Sequence, residues 1–188
     1  MPVSEPITDG RRAKGERRRR ALIEATLRVI ERDGASGVTH RTVAREAGLP
    51  ATTPTYYFDG IDGLLTEVLT TCMDEDAAKV VRLTEPDACA DPRRALAELM
   101  ADALAAPGHL LAEFELCLLA ARRPELRDST GRWTESLIGF ARRFTTDPVR
   151  LQLFVGAYDG LLLQALTTDE RPSADEFEAM LHQLLPTS

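Results

Sequence analysis

Seven of the ten side chains from Arg11 to Arg20 are basic: Arg11, Arg12, Lys14, Arg17, Arg18, Arg19 and Arg20. That density and sign suit a polyanion such as a phosphate backbone, and an isolated run of this kind equally suits a solvated helix start. The next forty residues favour the polyanion. Thr39, His40 and Arg41 open one short segment, and Pro50, Ala51, Thr52, Thr53, Thr55 and Tyr56 fill another. Methyl groups of alanine and threonine match thymine methyls in a major groove, and threonine hydroxyls bond bases or phosphates. The stretch from Pro50 to Phe58 contains no Arg, Lys, Asn or Gln, so it offers no bidentate contact to a purine.

A second group of residues suits ligand binding. His109, Glu113 and Cys117 are spaced by four, on one face of a segment that is apolar almost all round. A carboxylate in such a place orients a ligand, or pairs with a cation such as Arg122 or Arg142. Met100, Trp133, Phe140 and Tyr158 are large enough to wall a pocket, and ordinary core residues look the same in sequence. The sequence carries no metal or cofactor signature: Cys72, Cys89 and Cys117 are odd in number with no CxxC, and His40, His109 and His182 lie far apart. No GxSxG, HExxH or phosphate loop points to an enzyme.

These residues need helices to hold them. Leu and Ala dominate while Val and Ile are few, which favours helix over strand. Apolar residues at Leu22, Ala25, Thr26, Val29 and Ile30 predict a helix from Arg17 to Asp33, stopped at Gly34. Thr39 caps a short second helix that ends at Gly48, and Pro50 starts a third that runs to Tyr57. Six more helices are expected over 61–84, 91–105, 109–123, 130–144, 149–168 and 173–185, giving an all-α chain of nine helices. Charge is split: residues 1–58 carry a net +4 and residues 59–188 a net −11 within the overall −7, so the acidic total does not argue against nucleic acid. The absence of a long apolar run leads us to expect a cytoplasmic protein with no membrane partner.

Two short helices joined at Ala47-Gly48-Leu49 behind a longer one make a helix-turn-helix. The string from Val38 to Pro50, followed by Thr53-Pro54-Thr55-Tyr56-Tyr57-Phe58 and Leu64-Leu65, resembles the N-terminal domain of the TetR family of repressors over about a third of the chain. One departure is Ile61, where the family usually carries a lysine that touches phosphate; backbone N–H groups near Gly60 remain for that contact. The resemblance implies a flexible basic arm over 1–16, a DNA-binding domain over 17–60 and a ligand-binding and dimerisation domain over 61–188. It further implies a homodimer that binds a pseudo-palindromic double-stranded operator and leaves it when a small molecule binds. The helix from Val149 to Leu166 is apolar round most of its circumference, so a symmetry mate is its natural second partner. Gly156, Gly160, Leu162 and Leu163, with Phe177 and Leu181 on the last helix, are the expected interface. Two other readings stay open at this point: a helical enzyme or binding protein whose basic arm meets RNA or a membrane, and a DNA-binding protein with no effector.

Overall fold

The computed structural model describes residues 8–85 and 91–186, apart from the side chains of residues 8, 9, 11 and 125. Among the described residues there are nine α-helices and no strand. They are α1 (Thr8–Asp33), α2 (His40–Glu46), α3 (Thr53–Tyr57), α4 (Gly60–Arg82), α5 (Pro92–Ala105), α6 (Pro107–Arg122), α7 (Arg127–Ala141), α8 (Pro148–Thr167) and α9 (Ala174–Leu184). Cys89 and residues 1–7, on which part of the arm expectation falls, lie outside the described residues.

The chain divides into two units after Val68. In the first, α1 buries Leu22, Ala25, Val29 and Ile30, and α2 buries Val43 and Ala44. Thr26 is tolerated among them because its hydroxyl donates to the Leu22 carbonyl at 2.7 Å. On the rim, Arg28 Nε and Arg32 Nη1 approach the two oxygens of Glu46 at 3.0 and 2.9 Å, tying α1 to α2. Gly48, at φ 64°, takes the left-handed turn between α2 and α3 that a side chain would resist.

Three local expectations are corrected here. Helix α1 starts at Thr8, so residues 8–16 are its first turns and not a separate flexible arm. Arg, Lys, Ala and Glu all favour helix, and each of Gly10 and Gly15 costs only about 1 kcal/mol relative to Ala. Helix α3 starts at Thr53; Pro50 to Thr52 form the preceding turn, closed by the Thr53 N–H donating to the Pro50 carbonyl. The first unit takes in residues of α4 as far as Val68, because Leu64, Leu65 and Val68 are all buried.

In the second unit α5 packs along α9, with α7 and α8 beside them. Phe140, Phe154 and Phe177 are fully buried, and the first two stack with ring centres 6.0 Å apart. Buried Arg93 donates to the Leu185 carbonyl at 3.0 Å and lies 4.9 Å from the centre of the Phe144 ring. Arg150 donates to the Leu184 carbonyl at 3.3 Å. Both cations therefore meet the end of α9 where the helix dipole is negative. Arg94 binds Asp175 and Glu178 on the same helix.

Burial also corrects the expected interface. Leu162, Phe177 and Leu181 belong to this chain's own core and do not face outward. Leu163, Gly156 and Gly160 do lie on the open face of α8.

Candidate functional site

The expected reading surface is assembled on α2 and α3. The Thr39 hydroxyl accepts from the Thr42 N–H at 3.0 Å, and the Thr42 hydroxyl accepts from the Thr39 N–H at 2.9 Å, a reciprocal cap that fixes where α2 starts. Thr39 stays exposed despite this role. Arg41, Pro50, Ala51, Thr52, Thr55 and Tyr56 are exposed with it, Tyr56 to 84%, whereas Thr53 is half-buried. The Tyr56 ring meets Tyr57 edge to face, with ring centres 5.3 Å apart, and is otherwise open to solvent. His40 differs from expectation, since its Nε2 is enclosed without a hydrogen-bond partner and does not face outward.

Along α1, Arg12, Lys14, Arg17, Arg18 and Arg20 are exposed, and Arg11 shares the same helix. Arg20 meets Glu24 one turn on at 3.2 Å. Arg19 is the exception among the expected contacts. Its guanidinium lies 2.6 Å from Glu67 and 5.6 Å from the Phe58 ring centre, which makes it a brace inside the first unit.

The second unit holds a cavity of about 350 Å³, at the lower end of the usual range for small-molecule sites. Of the residues named as pocket candidates, His109, Glu113, Cys117, Trp133 and Tyr158 line it. Met100 and Phe140 do not; both are sealed in the core, and size alone did not separate them from wall residues. The sequence reading missed four charged residues that line the cavity with them, Asp76 and Lys79 on α4, Asp102 on α5 and Asp159 on α8. Asp159 was the readable one, a single acid within the long apolar run of α8.

Only 15% of the Glu113 side chain is exposed, and its Oε1 lies 3.1 Å from His109 Nε2. Burial pushes the Glu113 carboxyl up to about 7; the neighbouring Asp76 carboxyl adds to this and His109 opposes it. Asp76 in turn holds Lys79 Nζ at 2.6 Å. Burial raises Asp159 as well, against the hydrogen bond that the Trp133 indole donates to it. Trp133 and Tyr158 pack edge to face with ring centres 5.6 Å apart, presenting an aromatic wall. Burial pushes the Cys117 thiol up to about 11, so it is no nucleophile near neutral pH. A neighbouring hollow of about 340 Å³ shares Phe114, Cys117, Trp133 and Asp159 with the cavity.

Residues 22–68 match the model of bacterial regulatory proteins of the tetR family, and residues 90–187 match that of the tetracyclin repressor-like C-terminal domain. The chain belongs to the TetR family. Structures similar to this TetR-family chain include the multidrug binding protein EbrR complexed with ethidium, at 35% identity, covering 90% of this chain and 99% of that one, TM-score 0.71. EbrR complexed with malachite green matches at 33% identity with the same coverage and TM-score. A TetR-family member from Streptomyces coelicolor matches at 35% identity, covering 90% and 99%, with TM-score 0.75. No curated protein matches. As a TetR-family transcriptional regulator, the chain carries its helix-turn-helix in the first unit and the ligand-binding type of domain in the second. Among the described residues no single helix is long and apolar enough to cross a membrane.

Proposed function

We propose that this chain is a ligand-responsive repressor that binds a pseudo-palindromic operator as a homodimer and leaves it when a cationic aromatic molecule fills the cavity. The observation that carries the reading is the pairing of half-buried carboxylates, Glu113 and Asp159, with the aromatic surfaces of Trp133 and Tyr158 in one cavity. A flat organic cation satisfies both at once, with its charge on a carboxylate and its rings on aromatic faces. EbrR binds ethidium, proflavin and malachite green, which are molecules of that kind.

The operator contact rests on the exposed Thr52, Thr55, Ala51 and Tyr56 around α3 and on the cations of α1. Homodimerisation rests on an open stripe along α8: Val149, Leu153, Gly156, Gly160 and Leu163 are all exposed. A Cβ added at Gly156 or Gly160 meets nothing within 4 Å, which leaves room for a second helix to approach closely. Helix α4 provides the covalent connection, with its first residues in the DNA-binding unit and Asp76 and Lys79 at the cavity. A ligand that prefers one setting of α4 disfavours the spacing the two half-sites require.

Footprinting the purified protein on the intergenic DNA beside its own gene tests this. The expected pattern is a protected inverted repeat that disappears on adding malachite green, with the dye alone on naked DNA as the control. Protection that persists at saturating dye leaves a constitutive DNA-binding protein instead.

A further inference from the structure

Four carboxylates face the cavity from four helices: Asp76 on α4, Asp102 on α5, Glu113 on α6 and Asp159 on α8. The basic side chains facing them are the Lys79 amine and the His109 imidazole; α7 contributes the uncharged Trp133, and Cys117 and Tyr158 complete the titratable groups. Asp102 is exposed at the rim. The Trp133 N–H favours the charged form of Asp159, against burial.

Asp76 and Glu113 remain, two carboxylates that line one cavity from α4 and α6, with Asp76 adding to the burial that raises the Glu113 carboxyl. Two carboxylates in one cavity disfavour each other's ionisation, so one of them holds its proton more tightly than a free carboxyl does. Their partners distinguish them: Asp76 holds Lys79 Nζ at 2.6 Å, while burial raises the Glu113 carboxyl. The proton therefore sits on Glu113.

We propose that a cation enters this cavity in exchange for the proton on Glu113. This rests on the reading of the cavity as the effector site. One positive charge arrives and one leaves, so the buried charge is balanced before and after binding. Glu113 is neutral in the empty site and becomes half of an ion pair in the filled one. That balance matters because an unpaired buried carboxylate is costly in either state. His109, whose Nε2 lies 3.1 Å from Glu113 Oε1 and whose side chain is 41% exposed, gives the proton a route to water. An uncharged aromatic guest expels no proton and gains no ion pair, so the pair selects for charge where the aromatic wall selects for shape. The value of about 7 for Glu113 puts the exchange within reach of ordinary conditions.

Ethidium tests the idea because its charge is permanent, so any pH dependence belongs to the protein. The full chain, without DNA, is titrated with ethidium by calorimetry at pH about 6 and about 8, in buffers of different ionisation enthalpy. The expected result is proton release that approaches one per ethidium at the lower pH and fades at the higher. Affinity rises by up to about tenfold per pH unit below 7 and levels off above it. Glu113→Gln binds more weakly, with no proton release and no pH dependence. Asp76→Asn removes the neighbouring charge that helps hold the proton, so the midpoint moves to lower pH while binding persists. Phenanthridine, the uncharged parent ring system, releases no proton in the pH range where it is neutral. Ethidium binding that is equal at both pH values and independent of buffer overturns the exchange and leaves the effector reading intact. No ethidium binding at either pH overturns both.

Discussion

His109 Nε2 lies 3.1 Å from Glu113 Oε1, one turn apart on the same face of α6, and both atoms border a cavity walled by Trp133 and Tyr158. A carboxyl so enclosed has little reason to exist in a core that apolar side chains would fill better. The proposed cationic guest gives it a partner. Replacing Glu113 with Gln or Trp133 with Ala is therefore expected to leave operator affinity within about twofold and to weaken ethidium binding by about ten- to a hundredfold, the loss of one charged contact. Fluorescence titration and a gel shift on the same preparations check it.

Stability of the empty protein should carry the mark of Glu113. Its carboxyl ionises at about 7 in the fold against 4.5 in an unfolded chain, so the folded state keeps its proton longer. The associated stability is fully present below the unfolded value and is lost as pH rises through the folded one. Between about pH 5 and 8, denaturation midpoints of the wild type should fall relative to those of Glu113→Gln. Asp159, also raised, acts in the same direction. Parallel profiles would place the Glu113 carboxyl in water.

Neighbouring leucines on α8 should give opposite phenotypes. Leu162 is 3% exposed and Leu163 is 46% exposed. Leu162→Glu places an unpaired charge in the core at a cost of several kcal/mol and should unfold the second unit. Leu163→Glu should keep full helicity by circular dichroism, sediment as a monomer and lose operator affinity. A wild type that sediments as a monomer at micromolar concentration would remove the dimer from the account.

The cations of α1 should also divide. Alanine at Arg12, Lys14, Arg17 or Arg18 is expected to weaken binding to every duplex and to flatten the salt dependence by about 0.9 in slope for each lost phosphate contact. Arg19→Ala should instead lower the melting temperature, because Arg19 braces Glu67 and Phe58. Thr52 and Thr55 variants should change which operator sequence wins, without changing the salt slope.

Local chemistry made the helix-turn-helix legible in the sequence. Thr39 caps α2 as expected, Gly48 takes the left-handed turn and Asp91, Asp147 and Ser173 cap α5, α8 and α9. The start of α1 was not legible, because two glycines and a dense run of like charge look like a tail, although most of the residues favour helix. The spacing of His109, Glu113 and Cys117 exposed one wall of the cavity. Asp76 and Lys79 on α4 looked like any solvated i,i+3 pair, and only the packing of α4 against the other helices brings them to Glu113. Outward and inward residues of α8 were likewise inseparable, since Leu161, Leu162 and Leu163 are chemically identical. Their burial depends on which side the core lies.

The central claim is that cation in the cavity and operator on the helix-turn-helix exclude each other. It is tested most directly by measuring the operator dissociation constant across a malachite green titration, for the wild type and for Glu113→Gln, with dye affinity measured in turn with and without operator. Linkage requires the two couplings to be equal. The account predicts that the wild-type operator constant rises by about tenfold or more at saturating dye, that operator weakens the dye by the same factor, and that Glu113→Gln responds only at far higher dye. An operator constant that stays unchanged while the dye is bound to the wild type would contradict it.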